Sequence, residues 1–281
     1  MQVRENINKH IIVITWDGNS IPLAYLQIDG VPQFDILLFN YSGQEITQTL
    51  PFNCLYLSKS TENKGQIFEA VYHFLQKGVF TYEYIGILDD DLLCSVQDLN
   101  KLLFIAQLEE LDVFQPSITR DSYFDHRQFV HITGIISKQT DWVEVMAPFY
   151  RMSIFNAASP YFSYTISGQG IDVYVIPTIQ RILKLPKTSI VHAIQIKHCR
   201  PIRSGKRLYS NGKNNLQEIA TVQKKCIEIV TANDSQLFDN YFMKNILHKK
   251  YYNKVTLYAK ILRLKKLFSI VYQKLVDASY S

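Results

Sequence analysis

Ile11-Ile12-Val13-Ile14 is a β-branched apolar run that stops at Thr15-Trp16-Asp17-Gly18, the pattern of a buried strand and a turn. Residues 34–39 predict a second strand, closed by Asn40-Tyr41-Ser42-Gly43, and residues 54–57 a third. Ile67, Ala70, Val71, Phe74 and Leu75 then recur at helical spacing, with Gly78 as the stop. Tyr84-Ile85-Gly86-Ile87-Leu88 reads as a fourth strand and ends in Asp89-Asp90-Asp91. Ser95-Val96-Gln97-Asp98 has the form of a capping box, and Leu99, Leu102, Leu103 and Ala106 make a helix face behind it. Val113-Phe114-Gln115 predicts a strand broken by Pro116. Strands alternating with helices argue for an α/β sandwich around a mainly parallel sheet. Ligands of such sheets bind beyond the carboxyl ends of the strands, where Asp17 and the aspartate triplet fall.

The second half is less regular. Residues 122–139 alternate weakly and suggest a hairpin with a loop, and residues 148–158 suggest a helix with Pro148 at its start. Ser167-Gly168-Gln169-Gly170 is a turn leading into Ile171-Asp172-Val173-Tyr174, and residues 189–196 form a strand-like run that reaches Lys197-His198. There is no internal repeat. Near the end, Leu257, Ile261, Leu264, Phe268, Val271 and Leu275 share one helix face, flanked by Lys254, Lys260, Arg263, Lys265, Lys266 and Lys274. Such a helix either lies on an anionic membrane surface or packs its stripe on the body or a partner subunit.

The 281 residues are 47% hydrophobic and 20% charged, which fits a globular chain with a sizeable core and excludes a disordered one. Of 30 Lys and Arg and 25 Asp and Glu, 21 and 24 fall in residues 1–240; the net +5 therefore belongs to the tail, which argues against a nucleic-acid groove in the body. The cysteines, Cys54, Cys94, Cys199 and Cys226, form no CxxC pair, so a zinc knuckle or redox motif is not expected. The first residues lack an apolar signal region, and no apolar run nears the roughly 18 residues of a membrane span. The expectation is a cytoplasmic protein with reduced thiols.

Three adjacent carboxylates at a strand end repel one another, and a divalent cation relieves that crowding. In an extended chain Asp89 and Asp91 point to one side, a spacing that holds one metal or a metal plus a sugar hydroxyl. The alternative is a solvated acidic turn.

These residues carry a resemblance. The run from Tyr82 to Leu92, with its acid-any-acid pair Asp89 and Asp91, resembles the metal-binding strand end of nucleotide-sugar glycosyltransferases of the GT-A fold. Closer still is a poorly characterised family of bacteria and plants. Its Gln-Pro pair corresponds to Gln115-Pro116, its Trp-Val-Glu-x-Met-Ala-Pro segment to residues 142–148, its Gly-x-Gly-Leu-Asp-like turn to residues 168–172, and its valine-rich strand with a following histidine to Ile190-Val191-His192 through His198. The family has aspartate at the place of His192 and an aromatic at that of Gln169. The resemblance runs from about Phe34 to His198.

It implies a GT-A, Rossmann-like three-layer α/β sandwich, here placed over residues 1–235; the chain after about Ser204 has no counterpart in the family, and the basic amphipathic helical tail over 236–281 rests on the residue pattern given above. The implied reaction moves a sugar from a nucleoside diphosphate sugar to the hydroxyl of a glycan or lipid-linked acceptor, in bacterial capsule, lipopolysaccharide or similar assembly, at the cytoplasmic face of the membrane. Mn²⁺ or Mg²⁺ stabilises charge on the departing diphosphate. Asp91 is the direct ligand, Asp89 a ligand through water or a holder of ribose or sugar, Asp90 structural or donor-facing, and His198 the late histidine of the metal site. His192 is the alternative to His198. Arg200, Arg203 and Lys206 either hold the diphosphate or form a solvated loop. Asp172 is the candidate general base, with Glu144 its rival; the alternative for Asp172 is a helix cap. Trp16 and Asp17 meet the nucleobase and ribose, unless Trp16 is core. Ser117, Arg120 and Asp121 lie on a loop that could face the donor sugar. Two other classes compete: a binding module of the same fold without turnover, and a phosphoryl-transfer enzyme, which lacks a Walker-type glycine run here.

Overall fold

A computed structural model describes residues 8–46, 50, 54–201, 207–233 and 238–247. All lie in one compact unit that ends at Leu247. The strands are β1 (His10–Trp16), β2 (Leu26–Gln27), β3 (Asp35–Asn40), β4 (Leu55–Ser58), β5 (Tyr84–Leu88), β6 (Leu92–Ser95), β7 (Val113–Ile118), β8 (Ser137–Gln139), β9 (Phe149–Arg151) and β10 (Thr188–His198). The helices that position the site are α1 (Lys64–Leu75), α2 (Val96–Leu108), α3 (Met152–Ala158), α4 (Ile176–Leu183) and α5 (Asn215–Ala232).

The sheet runs β4-β3-β1-β5-β9-β7-β10, then β6 and β2, with β8 on β10. Neighbours among β4, β3, β1 and β5 are parallel, as are β7 and β10; β9 is antiparallel to both β5 and β7. Six strands therefore point one way with a single reversed strand among them, giving a mixed, mainly parallel α/β sheet. Residues Ile11 to Val13 of β1 are wholly buried, as expected of a strand covered on both faces. Ile12, Ile14 and Trp16 join Val96, Leu99, Leu102, Leu103 and Ala106 of α2 in one core. Side chains alternate across a strand, so Ile11 and Val13 face the opposite layer. There Phe68 of α1 meets Tyr150 of β9, Phe155 of α3 and Phe162, with ring centroids 5.3–6.1 Å apart. The result is three layers.

Most of the early elements match the hydrophobic pattern, and Ser95 caps α2 by accepting the Asp98 N–H at 3.1 Å. Three expectations fail. Pro116 does not break its strand: β7 continues to Ile118, because β9 pairs only with Val113 and Phe114 and leaves an edge where a missing N–H is tolerated. Residues 149–151 are not the first turn of a helix; Phe149 and Tyr150 are wholly buried aromatics that insert as β9, and the helix starts at Met152. Residues 122–139 form no hairpin, only a 3₁₀ turn over Arg127–Phe129 and the short β8 on the edge of β10.

After α5, Asn240–Phe242 and a π-turn over Met243–Leu247 pack onto the body, burying Phe242 and Leu247. The amphipathic stripe of residues 257–275, Arg203 and Lys206 lie outside the described residues. Among the described residues no helix is long and apolar enough to cross a membrane.

Candidate active site

The parallel pairing of β1 with β5 sets Ile14 beside Leu88, so both chains leave the sheet at the same edge. Beyond Leu88 the triplet is a tight turn into β6, with the Leu92 N–H on the Asp89 carbonyl at 3.4 Å. It is not extended chain, so strand alternation does not decide which carboxylates share a side. β6 pairs antiparallel with the end of β10, His198 opposite Leu92, and this brings His198 to Asp91.

Each aspartate has its own partner. Asp89 is ion-paired with Lys64, which stands at the start of α1 and is itself buried. Burial raises the Asp89 pKa, and Lys64 pulls the other way. The Asp90 carboxylate accepts from the Tyr41 hydroxyl at 3.1 Å and is ion-paired with Arg200 at 3.1 Å, and Arg200 Nη2 donates to the Asp90 carbonyl at 3.3 Å. Asp91, 8% exposed, has Oδ2 3.3 Å from His198 Nε2 and 3.7 Å from Arg200 Nε, while its Oδ1 is buried with no hydrogen-bond partner among the described residues. Burial opposes ionisation of Asp91, but His198 and Arg200 outweigh it and hold the carboxyl below its usual range. The His198 Nδ1 is 2.7 Å from the Tyr123 carbonyl, which makes Nδ1 the donor and leaves Nε2 toward Asp91. The Asp91 contact raises the His198 pKa.

The donors fit a hard divalent cation of a particular kind. A carboxylate and an imidazole oriented by a backbone carbonyl stand together beside an orphaned carboxylate oxygen, the arrangement of a metal ligand held from behind. Among the described residues no three His, Cys, Asp or Glu side chains form a complete cluster. The Lys64 pair makes Asp89 a poorer direct ligand than the sequence spacing implies.

These groups line a cleft of about 830 Å³, within the range of small-molecule sites. Asp172 and Glu144 line it as well. Gly170, at φ +93°, ends the glycine turn in the left-handed region, and Asp172 follows in a π-turn over Ile171–Val175. Burial pushes the Asp172 carboxyl up to about 7, against the pull of N–H groups that include Val173, whose N–H reaches Oδ1 at 2.9 Å. Burial, then Asp172, then Asp125 push Glu144 well above the usual carboxyl range, and its Oε2 is buried without a partner among the described residues. The Glu144 N–H is held by Gln115 Oε1 at 2.6 Å.

Trp16 and Asp17 line an adjoining pocket of about 270 Å³ that shares Asp89, Asp90 and Arg200 with the cleft. Trp16 is 2% exposed and its indole N–H closes on the Ser20 carbonyl at 2.9 Å, so it is a core wall. Asp17 Oδ1 accepts the N–H groups of Asn19 and Ser20 and the Ser20 hydroxyl, an Asx-type turn. His192 is wholly buried at a bulge in β10, with Nδ1 accepting the Ile132 N–H at 3.1 Å, as a core histidine. Ser117 lies within β7, its hydroxyl donating to the Ile194 carbonyl, and in the loop that follows Asp121 pairs with Lys197 at 2.5 Å; neither residue lines the cleft.

Sequence reasoning missed Lys64, Tyr41 and Asn63. The signal for Lys64 was a lysine in the first helical turn, where the helix dipole disfavours a cation unless an anion faces it. Asn63 caps α1 and donates to the Tyr209 hydroxyl at 2.9 Å.

No protein-family model and no curated protein matches the chain. Among solved structures it is similar to residues 1–349 of S. aureus TarS in complex with UDP-GlcNAc, at 10% identity and TM-score 0.47, over 80% of this chain and 67% of that one. It is similar to a longer S. aureus TarS structure at 9% identity and TM-score 0.48, over 79% of this chain and 40% of that one. A third is A197 from STIV, at 15% identity and TM-score 0.35, over 73% of this chain and 92% of that one. At this level of likeness the fold rests on the strand order itself.

Proposed function

We propose that the protein is a divalent-cation-dependent glycosyltransferase that moves a sugar from a nucleoside diphosphate sugar to an acceptor hydroxyl. The observation that carries this reading is the Asp91–His198 pair with its orphaned carboxylate oxygen, set beside Arg200 in a cleft at the carboxyl ends of parallel strands. The resemblance of the sequence motifs supplies the donor class.

In this reading Asp91 and His198 would hold Mn²⁺ or Mg²⁺, which would supply Lewis-acid stabilisation of charge on a diphosphate. Arg200, pinned by Asp90 and Asp91, points its guanidinium at the same charge. Lys64 holds Asp89 at the cleft floor, where Asp89 faces ribose or sugar hydroxyls. The acceptor oxygen bonds to the anomeric carbon as the carbon–oxygen bond to the diphosphate breaks, and the acceptor proton passes to Asp172. Its pKa near 7 suits a base at neutral pH. Glu144, its carboxyl pushed well above the usual range by burial and by Asp172, contacts the acceptor. The glycan or lipid-linked acceptor and a surface-polysaccharide setting rest on the sequence resemblance alone.

Release of nucleoside diphosphate from a panel of nucleotide sugars with Mn²⁺ tests the reading. Slow release that needs the cation and rises with an added hydroxyl acceptor supports it. Binding without release from any member of the panel supports the module without turnover instead.

A further inference from the structure

Glu218, in the first turn of α5, is wholly buried at 0% exposure. A carboxylate taken out of water needs donors on both oxygens to stay charged. Its Oε1 accepts from the Ile166 N–H and the Asn211 side-chain amide, each at 2.8 Å. Its Oε2 accepts from the Ser167 N–H at 2.8 Å and the Thr165 hydroxyl at 3.1 Å. Burial opposes ionisation, and these donors outweigh it, holding the carboxyl below its usual range.

Three of the four donors belong to residues 165–167, the lead into the Gly168-Gln169-Gly170 turn. That turn is wedged between two helices. A Cβ on Gly168, at φ +81°, would come within 2.8 Å of Lys64 Cβ on α1, and one on Gly170 within 2.9 Å of Val222 Cγ1 on α5. The Gly65 N–H of α1 donates to the Ile166 carbonyl at 3.0 Å. The loop is thus fastened to α1 on one side and to α5 on the other, and it delivers Gln169 and Asp172 to the cleft wall.

We propose that Glu218 is a positioning residue for the acceptor side of the cleft: its four hydrogen bonds set the loop that aims Asp172. The assignment rests on the transferase reading above. None of the hydrogen bonds of Glu218 is to Asp91, His198 or Arg200.

Glu218→Gln keeps the volume but replaces one acceptor oxygen with an amide donor that faces N–H groups. The test compares the altered and unaltered proteins on the nucleotide sugar that the unaltered protein turns over, with methyl glycosides as acceptors. It measures kcat, the KM for the donor, and nucleoside diphosphate affinity with Mn²⁺. A misaimed base costs on the order of 30-fold or more in kcat, with donor KM and nucleotide affinity within about 3-fold. Thr165→Val removes one hydroxyl and gives a smaller loss, which Thr165→Ser restores. A Glu218→Gln kcat within about 3-fold of the unaltered protein overturns the assignment, as does a loss matched by equal loss of nucleotide affinity. If Glu218→Gln does not fold, an unchanged kcat in Thr165→Val overturns it. Absence of turnover in the unaltered protein removes the transferase reading and this assignment together; full turnover in both proteins removes the assignment alone.

Discussion

Gln115 Oε1 accepts the backbone N–H of Glu144 at 2.6 Å, tying the middle of β7 to the segment that enters β9. Gln115 is wholly buried, so no water replaces it. Gln115→Leu keeps the bulk and strands the Glu144 N–H, at a cost of about 1–3 kcal/mol. Urea unfolding should show a lower midpoint with an unchanged slope. An unchanged midpoint would mean that the N–H finds another partner.

Asp172 and Glu144 differ in what their charge does. Asp172→Asn should lower transfer by roughly 100-fold or more, the scale of a lost general base, whereas Glu144→Gln, which keeps the shape of a group outside the base role, should keep most of it. The comparison is a measurement of kcat for both variants at pH 8. A large loss in Glu144→Gln with activity kept in Asp172→Asn would place the base role on Glu144.

The same carboxyl sets a pH dependence. Activity that needs ionised Asp172 rises with pH through about 7. Stability runs the opposite way. The folded protein keeps this proton up to about 7 while the unfolded chain releases it near 3.8, so the stabilisation is complete below 3.8 and is lost as pH climbs through 7. Asp172→Asn should therefore raise Tm relative to the unaltered protein more at pH 8 than at pH 5. A Tm difference independent of pH would contradict the buried, proton-holding site.

Gly65 leaves no room for a side chain, because a Cβ there would run into the Thr165 carbonyl oxygen. The clash is with backbone, which yields poorly. Gly65→Ala should destabilise by about 1–3 kcal/mol despite the better helix propensity of alanine, as overpacking does. Thermal unfolding checks this, and a rise in Tm would show that the loop shifts freely.

The legible parts of the sequence were those where one force dominates. The apolar runs of β1, β3 and β5 and the Ser95 cap are local patterns, and the structure places them as read. Asp91 and His198 were legible as types, but their meeting depends on β6 turning back onto the end of β10, a pairing no local pattern encodes. β9 was misread because Phe149 and Tyr150 suit a helix face and a buried strand equally, and only the gap between β5 and β7 decides. Glu218 gave no signal at all, since three of its four donors, two of them backbone N–H groups, belong to a distant loop.

The claim on which the rest depends is that Asp91 and His198 hold a cation for a diphosphate. Isothermal titration of nucleoside diphosphate into the protein, with Mn²⁺ and then with EDTA, tests it most directly. The account predicts binding that EDTA abolishes and that Asp91→Asn and His198→Ala each weaken by at least about tenfold, close to 1.4 kcal/mol. Binding that survives EDTA and both substitutions would contradict it.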